Sequence, residues 1–535
     1  MSVRYFNTEG PIEPQEHYCI PPLERVDLDE IEALIQWKKY FLLHAPRQSG
    51  KTSTLEALAK RLNASGDYRC VNVNVQGARG EGDDSGKAIR HVLEQFADGG
   101  EESLQDGSLY DLMDSVTARV SPSSVVKLFL KRWAAADPRP LVLLVDEIDS
   151  LPGPALLSVV DQLRSGHPLR PGRFPQSVVL CGQRNIRDYR IRTFRGKPHG
   201  PRASPFNIVA KSLRLGDFSP QEVEALLAQH TAETGQQFEP GAVERVWKLT
   251  LGQPWLVNAL CFHACFESKA GRDRSRPIRA GAVDAAKEAL ILNRVTHLDQ
   301  LAAKLREGPV RRVIEPLLAG TDIPAGVSED DVDYVRDLGL VRADGPVEIA
   351  NPIYREVIPR QLASALELYM HQRKQWYVGP GHRLETERLM KAFQSWYRES
   401  SEHWLPEVEY KEAGPQLLLQ AFLHRVVNRG GRIEREYALG RGRTDLLILW
   451  PRREGGDPSQ GERHVVECKV LRPGRGLEGT VRNALEQTAR YMDRCGTGSG
   501  HVVIFDRRPG RTWEERIFRR APEPDARPPI TVWGM

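Results

Sequence analysis

Three short stretches of this chain carry residue types that do chemistry at fixed spacing. The first is Ala45-Pro46-Arg47-Gln48-Ser49-Gly50-Lys51-Thr52, entered from the apolar run Tyr40-Phe-Leu-Leu-His44 and left through residues whose apolar face includes Leu55, Leu58 and Leu62. Strand, loop and helix in that order form a phosphate cradle. Backbone amides and the helix N-terminus bind a polyphosphate, Lys51 reaches its outer phosphates, and the Thr52 hydroxyl ligates Mg2+. The second stretch is Leu141-Val-Leu-Leu-Val-Asp146-Glu147, a buried strand ending in two carboxylates. There Asp146 supports the magnesium and Glu147 polarises the attacking water. The two stretches together predict a site that binds and hydrolyses ATP. Ala45 stands where such loops usually begin with Gly, a change that matters only if φ is positive there.

The third stretch lies near the C-terminus. Gly442-Arg-Thr-Asp445-Leu-Leu-Ile-Leu-Trp450 reads as a strand, and His464-Val-Val-Glu467-Cys-Lys469-Val470 as its return. If the hairpin is symmetric about its Gly- and Pro-rich loop, Asp445 falls opposite Glu467. Glu467 and Lys469 are two apart and share a face. Asp445 and Glu467 can then hold Mg2+ or Mn2+, and Lys469 can orient or activate the water that attacks a phosphodiester. Lys469 is one of two lysines among the 23 basic residues from 411 to 535. Further on, Gln487 and Tyr491 are spaced i,i+4 on a helix expected from about Thr480, ahead of a strand at His501–Phe505.

The elements that must position these residues follow from pattern. Residues 1–26 are Pro-rich and read as irregular. Asp27-x-x-Glu30 has capping-box spacing and opens a helix with Leu28, Ile31, Leu34 and Ile35 on one face. Between about Tyr40 and Asn207 short apolar strands alternate with helices, the signature of a parallel, doubly wound sheet. Strands are expected at Tyr40–His44, Val71–Val75, Leu141–Val145, Val178–Cys181 and near Phe206–Val209. The Gly- and acid-rich stretch from Gly77 to Gly107 reads as a mobile surface insertion. After Val178–Cys181, Gln183 and Asn185 are alternative sensors of the γ-phosphate, and Arg184, Arg187, Arg190, Arg192 and Arg195 crowd the following loop. From Leu213 the chain turns helical, with Ser219-Pro-Gln-Glu222 capping one helix and Gly252-Gln-Pro254 breaking and restarting the chain. Residues 300–365 read as three helices and a hairpin wing between Leu340 and Ile349.

The chain has 535 residues, enough for several domains; it is 40% apolar and 27% charged, as expected of a soluble globular protein. No apolar run is long enough to span a membrane, and the polar first ten residues lack a signal peptide's core, so a cytoplasmic location is expected. The seven cysteines are scattered. Cys261, His263 and Cys265 fall in an apolar helical run without a second ligand pair, which favours packing over a metal site. Residues 411–535 carry 23 Lys/Arg against 16 Asp/Glu, whereas the first 410 residues sum to −3. Polyanion contact is therefore expected at the C-terminal end.

Two resemblances follow from these motifs. The Ala45–Thr52 loop, Asp146-Glu147, Leu215-x-x-Phe218-Ser219 and Gly252-Gln-Pro254 resemble prokaryotic AAA-type ATPases allied to signal-transduction ATPases with numerous domains and to archaeal ATPases related to origin-recognition proteins. That resemblance covers residues 15–365. It implies a doubly wound core (27–212), a helical lid (213–299) in which Pro254 senses the nucleotide, and a winged helix (300–365). The helix that would enter DNA begins Ser328-Glu-Asp-Asp-Val-Asp333, whose carboxylates repel phosphates, so the winged helix is expected to act within the molecule. Beyond a connector (366–410), residues 411–535 resemble the PD-(D/E)xK nuclease superfamily with the Gln-x-x-x-Tyr helix of its RecB-like branches. A restriction-endonuclease-like α/β domain is implied, with Asp445, Glu467 and Lys469 on the core motif and Gln487 and Tyr491 accessory. That family usually places a further Glu on its first helix. Here the helix Gln416–Val427 offers Gln416 and Gln420, with Glu412 before it and Glu434 and Glu436 on the next strand. The expected whole is a multidomain α/β chain in which an ATPase controls a Mg2+-dependent nuclease acting on DNA, with homo-oligomerisation compatible. The alternative is a regulatory ATPase whose C-terminal domain binds nucleic acid or protein without cutting.

Overall fold

The computed structural model describes residues 4–82, 84–185, 208–292, 303–319, 323–324, 326–358, 377–407, 415, 418–420, 422–423, 431–436, 444–453, 456–471, 474, 476–522 and 529–535. It divides into two units. One holds residues 1–293 and 336–343, and the other holds 294–335 and 344–535. Arg187, Arg190, Arg192 and Arg195, Glu412 and Gln416, and residues 366–376 and 408–410 of the connector lie outside the described residues.

In the first unit, β1 (Tyr5–Phe6) and β2 (His17–Tyr18) form a short parallel pair. The expectation of an irregular N-terminal segment is corrected here. Phe6 and Tyr18 are fully buried, and their rings approach at 5.0 Å. After α1 (Leu28–Gln36), capped by the Asp27 side chain as its spacing predicted, come β3 (Tyr40–His44), α2 (Lys51–Ser65) and β4 (Arg69–Asn74). Next are α3 (Ser85–Leu104), α4 (Leu109–Thr117), α5 (Pro122–Ala135), β5 (Leu141–Asp146), α6 (Gly153–Gly166), β6 (Ser177–Gly182) and β7 (Val209–Arg214). The sheet runs β4-β5-β6-β3-β7, all parallel.

Strand alternation sends Leu141, Leu143 and Val145 of β5 toward α3–α6, and Val142 and Leu144 toward α1 and α2. Both faces are covered, as a parallel sheet requires. The stretch 77–107 is mostly not a surface insertion. Ala88, Ile89, Val92, Leu93 and Phe96 recur at helical spacing along α3 and enter the core, an apolar stripe that its Gly and Glu content obscured.

The helical part of this unit comprises α7 (Pro220–Thr234), α8 (Pro240–Thr250), α9 (Pro254–Phe262) and α10 (Ala280–Leu292). The Ser219–Glu222 capping box forms in both directions. At Gly252, φ is +82° and an added Cβ would stand 1.9 Å from the Phe218 carbonyl oxygen, so glycine is demanded there. The Phe218 amide in turn donates to the Gly252 carbonyl. Cys261 and Cys265 are buried in the apolar packing of this region.

The second unit includes α11 (Gly308–Ala319) and most of α12 (Glu329–Asp337), the acidic helix. No strand longer than a single residue is formed from 340 to 349, where a two-stranded wing was expected. A six-stranded mixed sheet follows α13 (Thr386–Glu407): β8 (Arg432–Glu436), β9 (Thr444–Trp450), β10 (Glu462–Leu471), β11 (Gly500–Asp506), β12 (Phe518–Arg520) and β13 (Ile530–Gly534). Its order is β12-β13-β11-β10-β9-β8. In this sheet β8, β9 and β10 are antiparallel neighbours. Then α14 (Leu477–Cys495) crosses over to bring β11 parallel to β10. One face packs on α14 through Leu447, Leu449, Val465, Leu471 and Tyr491. The other meets Phe393 and Tyr397 of α13, both against Phe505, and Phe393 also meets Phe422. Among the described residues no helix is long and apolar enough to cross a membrane.

Candidate functional site

The phosphate loop joins β3 to α2 at the C-terminal edge of the sheet, where the amides of a helix N-terminus point outward. Ala45 is buried and does not have positive φ, so the missing first Gly costs nothing in backbone strain. The left-handed positions are Gln48 at +55° and Gly50 at +93°. Lys51 donates to the carbonyls of Ala45 (3.1 Å) and Pro46 (3.0 Å), which arches the loop over its own ammonium. The Ser49 hydroxyl donates to the Pro46 carbonyl at 2.6 Å.

Asp146, at the end of β5, accepts from the Thr52 hydroxyl at 2.6 Å and from the Glu147 amide at 2.9 Å. A hydroxyl and a carboxylate meeting beside a phosphate-binding helix terminus are hard oxygen donors of the kind Mg2+ takes. Thr52 and Asp146 thus fit a magnesium site, Thr52 as a direct ligand and Asp146 beside it. Glu147 adopts left-handed backbone angles, φ 55° and ψ 36°, which turns its side chain off the strand line. Burial raises its carboxyl above the usual range; Lys51 opposes the shift, and Asp149 and Asp146 add to it. A raised pKa on a carboxylate beside the phosphate loop suits a general base.

At the end of β6, the Gln183 amide donates to Asp149 Oδ2 at 3.2 Å and the Asn185 amide donates to Asp337 Oδ2 at 2.7 Å. Asp337 Oδ1 lies 3.4 Å from Nδ1 of His44, the residue that leads into the phosphate loop. Gly339 completes the same approach: with φ at +73°, its added Cβ would meet Pro46 at 2.7 Å. The Gln183 and Asn185 contacts are both made by backbone N–H groups; Asp337 links Asn185 to His44, and Asp149 accepts from Gln183. No sequence signal marked Asp337, which comes from some 150 residues away in the chain.

A cavity of about 100 Å3 opens beside the loop, walled by Ile12, Tyr18, Gly50, Phe218, Pro254 and Trp255. Pro254 is one of the residues lining this cavity. The N-terminal segment supplies the rest of the wall, held by the Trp255 indole donating to the Thr8 carbonyl at 2.9 Å and by the Ile12 amide donating to Ser53 Oγ at 2.9 Å. Arg25 straps the region. It donates to the carbonyls of Ser49 (2.6 Å) and Gly216 (2.7 Å), and its guanidinium lies 4.7 Å from the Phe218 ring centre. Burial pulls that guanidinium below its ordinary pKa. These wall residues escaped motif reading because short polar and aromatic residues scattered over a Pro-rich stretch have no periodicity.

In the second unit, β9 and β10 pair with Asp445 opposite Glu467, the register expected from hairpin symmetry. Val465 and Leu471 of β10 face α14, and Glu467 and Lys469 are in phase with them. Glu467 is completely buried, and Lys469 forms an ion pair with its Oε1. Tyr491 is buried on α14, and the Gln487 side-chain carbonyl accepts no hydrogen bond among the described residues. Gln420 is buried in the helical segment ahead of β8. Glu434 and Glu436 lie on β8, with Glu436 in register with Asp445. The side chains of Asp445, Glu434 and Glu436 lie outside the described residues. Among the described ones no three His, Cys, Asp or Glu side chains are grouped to hold a metal.

Comparison with known proteins bears on the first unit. Residues 36–189 match the family model described as an AAA domain. This region is similar to AAA-type ATPase domains and has an α/β P-loop fold, and ATP is the ligand expected of that family. Similar solved structures include a Walker-type ATPase of Pyrococcus abyssi (TM-score 0.44, 12% identity, covering 66% of this chain and 99% of that one). Others are the Aeropyrum pernix ORC2 protein in ADPNP-ADP complexes (0.38, 14%, 65% and 96%) and the Aeropyrum pernix ORC1 protein in complex with DNA (0.34, 17%, 65% and 84%). No curated protein gives a significant match.

Proposed function

We propose that the AAA-type domain is a nucleotide-controlled switch that governs a metal-dependent phosphodiester-cleaving activity of the C-terminal sheet, with DNA as its substrate. The observation that carries the switch is the Thr52–Asp146 contact beside Lys51, with Glu147 held off the strand by its left-handed backbone. Mg2+ held there would supply positive charge against the polyphosphate. Thr52 and Asp146 would hold it, Lys51 would draw the terminal phosphates, and Glu147 would take a proton from the attacking water. Gln183, Asn185 and Pro254 would sense the nucleotide state.

The cleavage reading is supported by the Asp445–Glu467 register and by the buried Glu467–Lys469 pair on the α14 face. A fully buried carboxylate is costly without a cation, and here a lysine two residues on supplies one. Asp445 and Glu467 would hold Mg2+ or Mn2+, and Lys469 would orient the water. The excess of arginine in residues 411–535 suits a phosphate backbone. The alternative, a regulatory ATPase whose second unit binds without cutting, is favoured by that same ion pair, because Lys469 already satisfies Glu467 without a metal.

Cleavage of plasmid and single-stranded DNA in Mg2+, wild type beside Lys469→Ala, separates the two. Loss of cutting in the variant with ATP turnover intact is the expected result. Equal cutting by both proteins would leave only the binding reading. Lys51→Ala should lose ATP binding or turnover and change the cleavage rate. If cleavage is indifferent to that variant and to a non-hydrolysable ATP analogue, the control relation fails.

A further inference from the structure

We infer that Asn258 is the residue that selects the nucleobase, accepting a hydrogen bond from the 6-amino group of adenine. Asn258 lies on α9, one turn after Pro254, and lines the cavity beside the phosphate loop. It is only 6% exposed. Its Nδ2 donates to the Pro254 carbonyl at 2.8 Å, which fixes the orientation of the amide, because a carbonyl can only accept. Its Oδ1 is buried and accepts no hydrogen bond among the described residues. A buried acceptor without a donor costs free energy that a ligand N–H recovers.

The chemistry of the rest of the cavity narrows the ligand. The walls from Tyr18, Phe218, Pro254 and Trp255 are flat and apolar, as a purine face requires, and the cavity opens beside Gly50, where the phosphates would sit. Adenine presents an N–H donor at its 6-position. Hypoxanthine and guanine present a carbonyl there, which would set two acceptors against each other in a dry site. Asn258 thus discriminates by repulsion as well as by attraction. The inference rests on the ATP-binding reading and adds to it the atom that distinguishes ATP from other purine triphosphates.

The test uses the full-length protein with Mg2+, displacing a ribose-labelled fluorescent ATP analogue with ATP, ITP and 6-dimethylamino-ATP. ITP replaces the amino group with a carbonyl, and the dimethyl compound keeps the ring but has no N–H to donate. Wild type should bind ATP at least about tenfold more tightly than either, the usual scale for a lost buried hydrogen bond. Asn258→Leu should bring ATP and ITP to within about twofold of each other, the discriminating contact being gone. Wild-type protein that binds all three alike overturns the inference, as does a Leu variant with the wild-type ratio. Should the Leu variant not fold, the two analogues on wild type decide alone. If the labelled ATP analogue itself does not bind, the ATP reading is what has failed.

Discussion

The two candidate sites in this chain are assembled in opposite ways. In the first unit, Ala45–Thr52 is a contiguous loop whose own backbone does the binding, and Lys51 is spent on that loop's carbonyls. Asp146 comes from a distant strand, and the Thr52 hydroxyl reaches it directly. In the second unit no contiguous segment makes a site. Asp445 and Glu467 come together through strand register, and Lys469 follows from the period-two repeat of β10. Both arrangements bury charge: Lys51 and Asp146 at the helix terminus, and Glu467 on its strand, where a neighbouring ammonium balances it. A loop site therefore tolerates a change such as Ala45, whereas a register site is lost by a one-residue slip.

The comparison can be broken most severely at Glu147. Glu147→Gln should lower ATP turnover by about 10²–10³-fold while nucleotide binding survives, measured by phosphate release and by analogue titration. Because burial raises the Glu147 pKa, the wild-type rate should fall on the acidic side at a higher pH than an ordinary carboxylate would give. The sign is that of a base, with activity present above the raised pKa and lost as protonation sets in below it. DNA cleavage with nucleotide absent should be unchanged in this variant.

A pair of glycines comes next. Gly252→Ala meets the Phe218 backbone at positive φ and should lower stability by roughly 3 kcal/mol, seen as a drop in thermal midpoint. Gly479→Ala, on α14 with open space around it, should raise stability of the second unit by up to about 1 kcal/mol. A rise for both would mean the Phe218–Gly252 seam is not rigid. The smallest effects belong to the helix caps. Ser219→Ala and Thr512→Ala each remove half of a capping box and should each cost about 1 kcal/mol by denaturant titration. A much larger loss at Ser219 would show that α7 is coupled to the loop through Phe218.

Much of the architecture was legible because it is local. The β3, β5 and β6 strands are apolar runs bounded by turn residues, and the caps at Asp27 and Ser219 are set by spacing of a few residues. The stretch 77–107 misled because α3 keeps its apolar stripe while Gly99 and Gly100 sit within it, closely approached by Val73 and Leu109. There glycine serves tight packing and not a loop. The N-terminal segment misled for a related reason: its residues matter as a wall of a cavity formed by α9 and Phe218, and nothing in residues 4–20 encodes that partner.

What the sequence determined alone is the chemistry carried by contiguous geometry: a phosphate loop, a strand ending in two carboxylates, and a hairpin whose length and symmetry set Asp445 against Glu467. Backbone hydrogen bonding and side-chain period act over a few residues, so a short string specifies them. What only the tertiary structure decided is which distant groups share a small volume. Arg25 strapping Ser49 to Gly216, Asp337 beside His44 and Asn185, and the open acceptor of Asn258 each depend on how packed elements meet. Those contacts are fixed by burial of apolar surface, which is non-directional and leaves no local pattern in the chain.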